Sequence, residues 1–222
     1  STANAGYLHR VLRLGPGDHV KVFDGERDYL VELSEVTRAQ VRGRVIEEHT
    51  GTRDEGMEVI LGFACIRPGP VEEILRHGTE LGVSRFVPIL SERANRKPEA
   101  SKPRWRTIVA SAASQCGRSL LPSVESPVSL ATFLAEHPGP TTRILLSTAS
   151  SAPPLLVVLE RERPERIVLL VGPEGGFADS EELEALRGGF LRASLGHCVL
   201  RAETAAVTAA GVVAAWNQAG TW

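Results

Sequence analysis

The sequence predicts an α/β chain in two parts: a small β-barrel, then a parallel sheet with helices on both faces. Three observations carry this. From Met57 onward, apolar strand-like runs alternate with helical stretches, as in a parallel sheet covered on both sides. Residues 7–50 have no long helical period and hold only short apolar runs. Residues 49–56 are polar and contain Gly51 and Gly56, a linker signal. The predicted domains are 1–55 and 56–222.

In chain order, the barrel strands are expected at 19–23, 29–33 and 40–46, punctuated by Gly15-Pro16-Gly17-Asp18 and Asp24-Gly25-Glu26. Asp24-Gly25 between strand-like runs is a hairpin signal. The second part starts with a continuous apolar run at 57–64 and a helix at 70–81. A strand at 85–90 and a long helix at 102–116 follow. Further strands are expected at 143–147 and 166–171, with a helix at 154–163 between them. Asp179 or Ser180 is expected to cap a helix ending near Arg187, with Glu181 and Glu182 favouring its positive dipole end. The last strand is expected at 190–195 and the last helix at 203–218, the latter apolar almost all round and so buried on several sides, by a partner or by the monomer core.

The 222 residues suit one or two domains with a sizeable core. No apolar run approaches the ~20 residues of a membrane span, no signal-peptide pattern is visible, and Ser1 to Gly6 reads as a trimmed end. Cys65, Cys116 and Cys198 are odd in number and far apart, which argues against a disulfide framework or a zinc site, and no metal is expected. The expected compartment is the cytoplasm. Net charge is −2, but residues 85–118 hold eight Lys/Arg against Glu92 and Glu99, a local +6 that leaves −8 on the rest. Such a segment is what phosphate binding requires, although charge runs also serve as plain solvated surface.

Two stretches bear most directly on chemistry. Val171-Gly172-Pro173-Glu174-Gly175-Gly176-Phe177 puts a glycine-proline turn at a strand's carboxyl end, where open α/β sheets bind ligands. Leu195-Gly196-His197-Cys198-Val199-Leu200-Arg201-Ala202-Glu203-Thr204-Ala205 repeats the layout of strand, Gly turn and helix. Glycines there let backbone approach a ligand closely, and two such loops can hold one small molecule between them. A phosphate cradle of the P-loop kind is not indicated, because Phe177-Ala178-Asp179 stand where its Lys-Ser/Thr should be.

Together these stretches resemble the cofactor loops of the SPOUT methyltransferases, and more narrowly those of the bacterial family that methylates N3 of a uridine in small-subunit (16S) ribosomal RNA. His9-Arg10-Val11-Leu12-Arg13 with Gly15-Pro16-Gly17-Asp18 is similar to that family's opening. Glu80-Leu81-Gly82-Val83 leading to Pro88, Ser91 and Arg93, and Gln115-Cys116-Gly117-Arg118 leading to Pro122, resemble further passages. Ser114 stands where relatives carry Glu. The resemblance covers about His9 to the end and implies a C-terminal trefoil knot and a PUA-like barrel. Relatives carry an extra strand before the opening stretch, so the barrel is expected to be incomplete as written.

The resemblance also implies S-adenosylmethionine as cofactor, bound by Leu146, Ser147 and Thr148, by Val171, Gly172, Pro173, Glu174, Gly175 and Gly176, and by Leu195, Gly196, Cys198, Val199 and Leu200. Cys198 is expected to pack there as a small apolar residue rather than act as a nucleophile. Arg201 is the candidate for stabilising an anionic uracil oxygen. Glu203 would orient Arg201, accept the N3 proton, or only cap the last helix. Candidate RNA contacts are Arg10, Arg13, Arg93, Arg96, Lys97, Gln115 and Arg118, with Arg10 and Arg13 three apart on a helix-like turn and Arg118 either on phosphate, the favoured reading, or on helix-end carbonyls. The implied partners are 16S ribosomal RNA, within the assembled small subunit, and a second copy of the chain as a homodimer. The competing readings are a SPOUT enzyme acting at another RNA position and a non-catalytic RNA-binding protein, which has no use for the two Gly loops.

Overall fold

The computed structural model describes residues 2–10, 12–24, 27–50, 57–64, 68–94, 102–136 and 141–219. Two compact units divide the chain, residues 1–53 and 54–222.

In the first unit, helix α1 (Thr2–Arg10) precedes an antiparallel meander of β1 (His19–Phe23), β2 (Arg27–Val36) and β3 (Val41–Thr50). The expected hairpin forms: the Arg27 N–H donates to Asp24 Oδ1 at 2.9 Å and the Asp24 N–H to the Arg27 carbonyl at 3.2 Å. β2 and β3 run longer than their apolar cores, and charged cross-strand pairs stand in the extensions: Arg42 on Glu35 and Arg27 on Glu48. Among the described residues this is an open three-stranded sheet, not a closed barrel. The sequence shows the strands but not the partner that closure needs. The expected linker lies mostly outside the described residues, and positions 49 and 50 belong to β3.

The second unit is a seven-stranded parallel sheet. Its elements are β4 (Glu58–Ala64), α2 (Pro68–Glu80), β5 (Arg85–Leu90), α3 (Lys102–Cys116), β6 (Ser123–Val124), β7 (Val128–Ser129) and α4 (Leu130–Ala135). They continue with β8 (Thr142–Leu146), α5 (Leu155–Glu162), β9 (Arg166–Val171), α6 (Asp179–Arg187), β10 (Leu191–Ala193) and α7 (Ala202–Ala219). The strand order is β10-β8-β9-β4-β5-β6, with β7 also on β5. β6, β7 and α4 had no counterpart in the sequence reading, because two-residue strands carry no period to detect.

Alternate residues of the central strands feed opposite faces. Ile167, Leu169 and Val171 of β9 join the core under α2, α3, α5 and α7, while Val168 and Leu170 join Phe133, Phe177 and Phe190 under α4 and α6. That two-sided burial explains the unbroken apolar runs. On β4, Gly62 leaves room for Phe133: a Cβ there would stand 2.4 Å from the ring's Cζ and 2.9 Å from Ile89 Cδ1. Gly62→Ala is therefore expected to cost about 1–3 kcal/mol by overpacking, read as a lower denaturation midpoint at constant m.

Candidate functional site

β10, β8 and β9 are neighbours in the sheet, so their carboxyl ends lie side by side. The chain leaving β8 is tied to that leaving β10: Ser147 N–H donates to the Ala193 carbonyl at 2.9 Å, Ser194 N–H to Pro153 at 2.8 Å and Leu155 N–H to Ser194 at 2.9 Å. Leaving β9, the chain turns at once, with the Gly176 N–H on the Pro173 carbonyl at 2.8 Å and Gly176 at φ 68°. Gly172 sits so close to Phe177 that a Cβ would stand 3.1 Å from its ring. Gly196 adopts φ 132°, which disfavours any side chain, and nothing lies within 4 Å of its would-be Cβ.

These loops enclose a cavity of about 430 Å³. Leu146, Ser147 and Thr148 form one wall, Val171, Gly172, Pro173, Glu174, Gly175 and Gly176 a second, and Leu195, Gly196, Cys198, Val199 and Leu200 a third. Val171, Pro173 and Ala193 are buried at its floor, while Glu174 and residues 196–199 are exposed at its rim, Val199 to 76%. Cys198 lines the cavity but is exposed rather than packed.

Several lining residues were not anticipated. Phe177 and Asp179 extend the second wall, Ala202 and Ala205 bring in α7, and Glu182 faces the cavity while accepting from Arg192 Nε at 2.8 Å and Ser147 Oγ at 3.5 Å. The N-cap position of α6 is Ala178, not Asp179 or Ser180. Alanine has no side-chain acceptor, so Glu181 takes over from inside the helix, accepting the Ala178 N–H at 2.9 Å. Only half of the usual capping-box pattern is therefore visible in the sequence.

The remaining candidates are spread out. Arg201 and Glu203 are not among the lining residues; Arg201 is exposed just before α7, and its carbonyl accepts the Ala205 N–H at 2.8 Å. Glu203 is half-buried, and its Oε2 is enclosed with no hydrogen-bond partner among the described residues. Arg10 ends α1, whereas Arg13 lies beyond it at φ 54°, so the two do not share a helical turn. The chain turns there because Leu14 N–H reaches back to the Leu8 carbonyl at 3.1 Å. Gln115 is exposed on the last turn of α3. Arg96 and Lys97 lie outside the described residues.

The basic segment is divided among several duties. Arg104 makes a two-point pair with Glu72, which raises its already high pKa through hydrogen bonding and charge, and Arg85 pairs with Glu125 at 3.2 Å. Arg118 Nη1 donates to the carbonyls of Thr79 (2.9 Å) and Val83 (2.8 Å), the end of α2 and the turn after it. That geometry is the carbonyl-capping alternative for Arg118, not the phosphate contact. Arg118→Ala is expected to cost about 1–3 kcal/mol, since it removes a charged donor from two carbonyls, of which Thr79 keeps only the 3.3 Å bond from the Gly82 N–H, and to leave the salt dependence of RNA binding as in the parent. Denaturant unfolding and binding titrations at several salt concentrations check it.

The sequence profile of the RNA methyltransferase domain matches residues 53–214. A ribosomal RNA small subunit methyltransferase E from Synechocystis is 39% identical over 216 residues, covering 94% of this chain and 70% of that protein. Among solved structures, a ribosomal RNA small subunit methyltransferase E from Neisseria gonorrhoeae bound to S-adenosylmethionine superposes with a TM-score of 0.82 at 29% identity, over 95% of this chain and 88% of that one. A methyltransferase from Legionella pneumophila with bound S-adenosylmethionine gives a TM-score of 0.82 at 30% identity, over 97% and 90%.

Proposed function

Because the chain belongs to the RNA methyltransferase domain family, among the ribosomal RNA small subunit methyltransferases E, we propose that it methylates N3 of a uridine in 16S ribosomal RNA, with S-adenosylmethionine as methyl donor. The observation that carries this reading is the meeting of 146–148, 171–176 and 195–200 around one cavity of about 430 Å³. That volume falls in the range of small-molecule pockets. The walls also fit the donor. Glycine-rich backbone at 175, 176 and 196 permits close approach to its flat and polar parts, and carboxylates at Glu174, Asp179 and Glu182 suit its positive groups.

When bound, S-adenosylmethionine supplies a methyl group activated on a sulfonium sulfur. The chain's own residues have to position the base and manage the N3 proton. Arg201 stabilises negative charge on uracil O2 or O4 as that proton leaves, and Glu203 accepts it or holds Arg201 in place. Arg10, Arg13, Arg93, Arg96, Lys97 and Gln115 contact RNA, with residues 1–55 as a PUA-like grip and 56–222 as the methyltransferase domain. A trefoil knot at the C-terminal loops rests on the family membership. A homodimer is supported by apolar surface on α5, where Leu156 and Val157 are 52% and 54% exposed. Among the described residues no helix is long and apolar enough to cross a membrane, and the ribosomal RNA substrate of this reading fits a cytoplasmic enzyme.

The test is reaction with assembled small subunits from a strain lacking the enzyme, followed by mass spectrometry of nucleosides. 3-Methyluridine is the expected product. Methyl on a ribose 2′-oxygen, on guanine N1 or on pseudouridine would sink the assignment while keeping the methyltransferase.

A further inference from the structure

At the edge of the pocket, two segments 82–89 residues apart in sequence are fastened together by polar contacts. The chain leaving β5 carries Glu92 and Arg93. The Glu92 N–H donates to Glu181 Oε1 at 2.8 Å, and the Ala178 N–H donates to Glu181 Oε2 at 2.9 Å. One carboxylate thus spans from the β5 exit to the start of α6, using both oxygens. Arg93 reaches the other way: its Nη1 donates to the carbonyls of Gly175 and Phe177, each at 3.2 Å, and its Nη2 stands 4.0 Å from Asp179 Oδ1.

Both Glu92 and Arg93 are exposed, and neither belongs to the hydrophobic cores. What these bonds fix is the course of residues 175–178, which includes the far end of the second wall of the cavity, Gly175 to Phe177. The chemistry at Glu181 is specific. Each N–H donor meets a separate oxygen, so an amide in the same pose would turn its NH₂ toward one of them. The Arg93 side chain stays 49% exposed while Nη1 is engaged, so the residue that grips the wall and lines the cavity also faces solvent within the basic segment.

We infer that Glu181 and Arg93 are positioning residues that couple occupancy of the methyl-donor pocket to RNA contact at the β5 exit, an inference that rests on the methyl-donor reading above. Coupling of this kind is reciprocal: whatever factor the donor imposes on RNA affinity, RNA imposes on donor affinity. An RNA phosphate drawing on Arg93 biases the wall around the donor, and a bound donor that orders the wall presets Arg93 for RNA.

Amide exchange on the ligand-free protein tests the clasp itself. In Glu181→Gln and Glu181→Ala, the amides of Glu92 and Ala178, 86 apart in numbering, should accelerate while those of β9 keep their protection. In Glu181→Ala both amides should accelerate together; acceleration of Ala178 alone would make Glu181 a local helix cap and overturn the clasp. Calorimetry with S-adenosylhomocysteine should show about tenfold weaker binding in Arg93→Ala, the size expected for losing a charged hydrogen-bond donor, with the unfolding midpoint kept. KM for the donor, measured at saturating small-subunit RNA, should rise in the same proportion. Finally, saturating S-adenosylhomocysteine should change the affinity of the parent for small-subunit RNA by a factor that falls toward one in Glu181→Gln. An equal factor in parent and variant, or unchanged donor affinity in Arg93→Ala, overturns the coupling. A parent that bound no S-adenosylhomocysteine would overturn the donor reading and the coupling with it, whereas the exchange pattern judges the clasp without any ligand.

Discussion

Arg201→Ala should lower turnover by about 10²–10³-fold, the loss typical of removing a donor aimed at developing negative charge. Binding of S-adenosylhomocysteine should stay within about twofold, a shift too small to register as a lost contact. The asymmetry follows from position. Arg201 lies outside the cavity lining and is exposed just ahead of α7, a position that suits the proposed role on the RNA base better than contact with the donor. Its structural contribution there is the backbone carbonyl that accepts from Ala205, and alanine keeps that bond. Single-turnover rates on small subunits, set against calorimetry, separate the two quantities. Equal losses in both would make Arg201 a residue of the donor loop. Arg201→Lys should recover part of the rate, since it keeps the charge but loses the planar fork.

Gly196→Trp should weaken S-adenosylhomocysteine binding by at least about 100-fold, a loss of ~2.7 kcal/mol or more. Nothing lies within 4 Å of the Cβ position, so the indole projects into the open mouth of the cavity instead of into the protein. Backbone at φ 132° is unfavourable for any side chain, at about 1–3 kcal/mol, so a lower unfolding midpoint is expected as well. Gly196→Ala carries the same backbone strain without the bulk. Midpoints that drop equally in both variants, with binding lost only in the tryptophan, would assign the effect to occlusion. Unchanged affinity in folded Gly196→Trp would remove this loop from the site.

What the sequence disclosed about the fold was what burial writes into it. β9 is buried on both faces and reads as five consecutive aliphatic residues from Ile167 to Val171, and the same logic exposed β4 and β5. Turn chemistry made the pocket legible too, because Gly172 beside Phe177, Gly176 at φ 68° and Gly196 at φ 132° all need the missing Cβ. What stayed hidden were pairings between distant residues. Arg118 reads as a phosphate ligand in preference to a helix cap until Thr79 and Val83 are seen beside it. A run of eight cations says nothing about which are taken by Glu72 or Glu125 on neighbouring elements. Glu181 bonding to Glu92 leaves no periodic trace at all. Arg10 and Arg13 were misjudged because a left-handed residue breaks a helix without any glycine to announce it.

The side-by-side exits of β10, β8 and β9 have a consequence for when the protein becomes competent during synthesis. The middle of the sheet joins β4 to β9, with Glu58 and Arg166 paired across 108 residues, so this centre cannot close until most of the chain has been made. The third wall of the pocket comes later still, from residues 195–200 and the first turn of α7. Long-range parallel pairing of this type is slow, because loop closure has to precede the contacts that reward it. A ribosome making this chain therefore completes most of the sheet before the pocket: methyl-donor binding waits for residues 195–205, and a nascent chain stalled before β10 carries a largely formed sheet with no third wall.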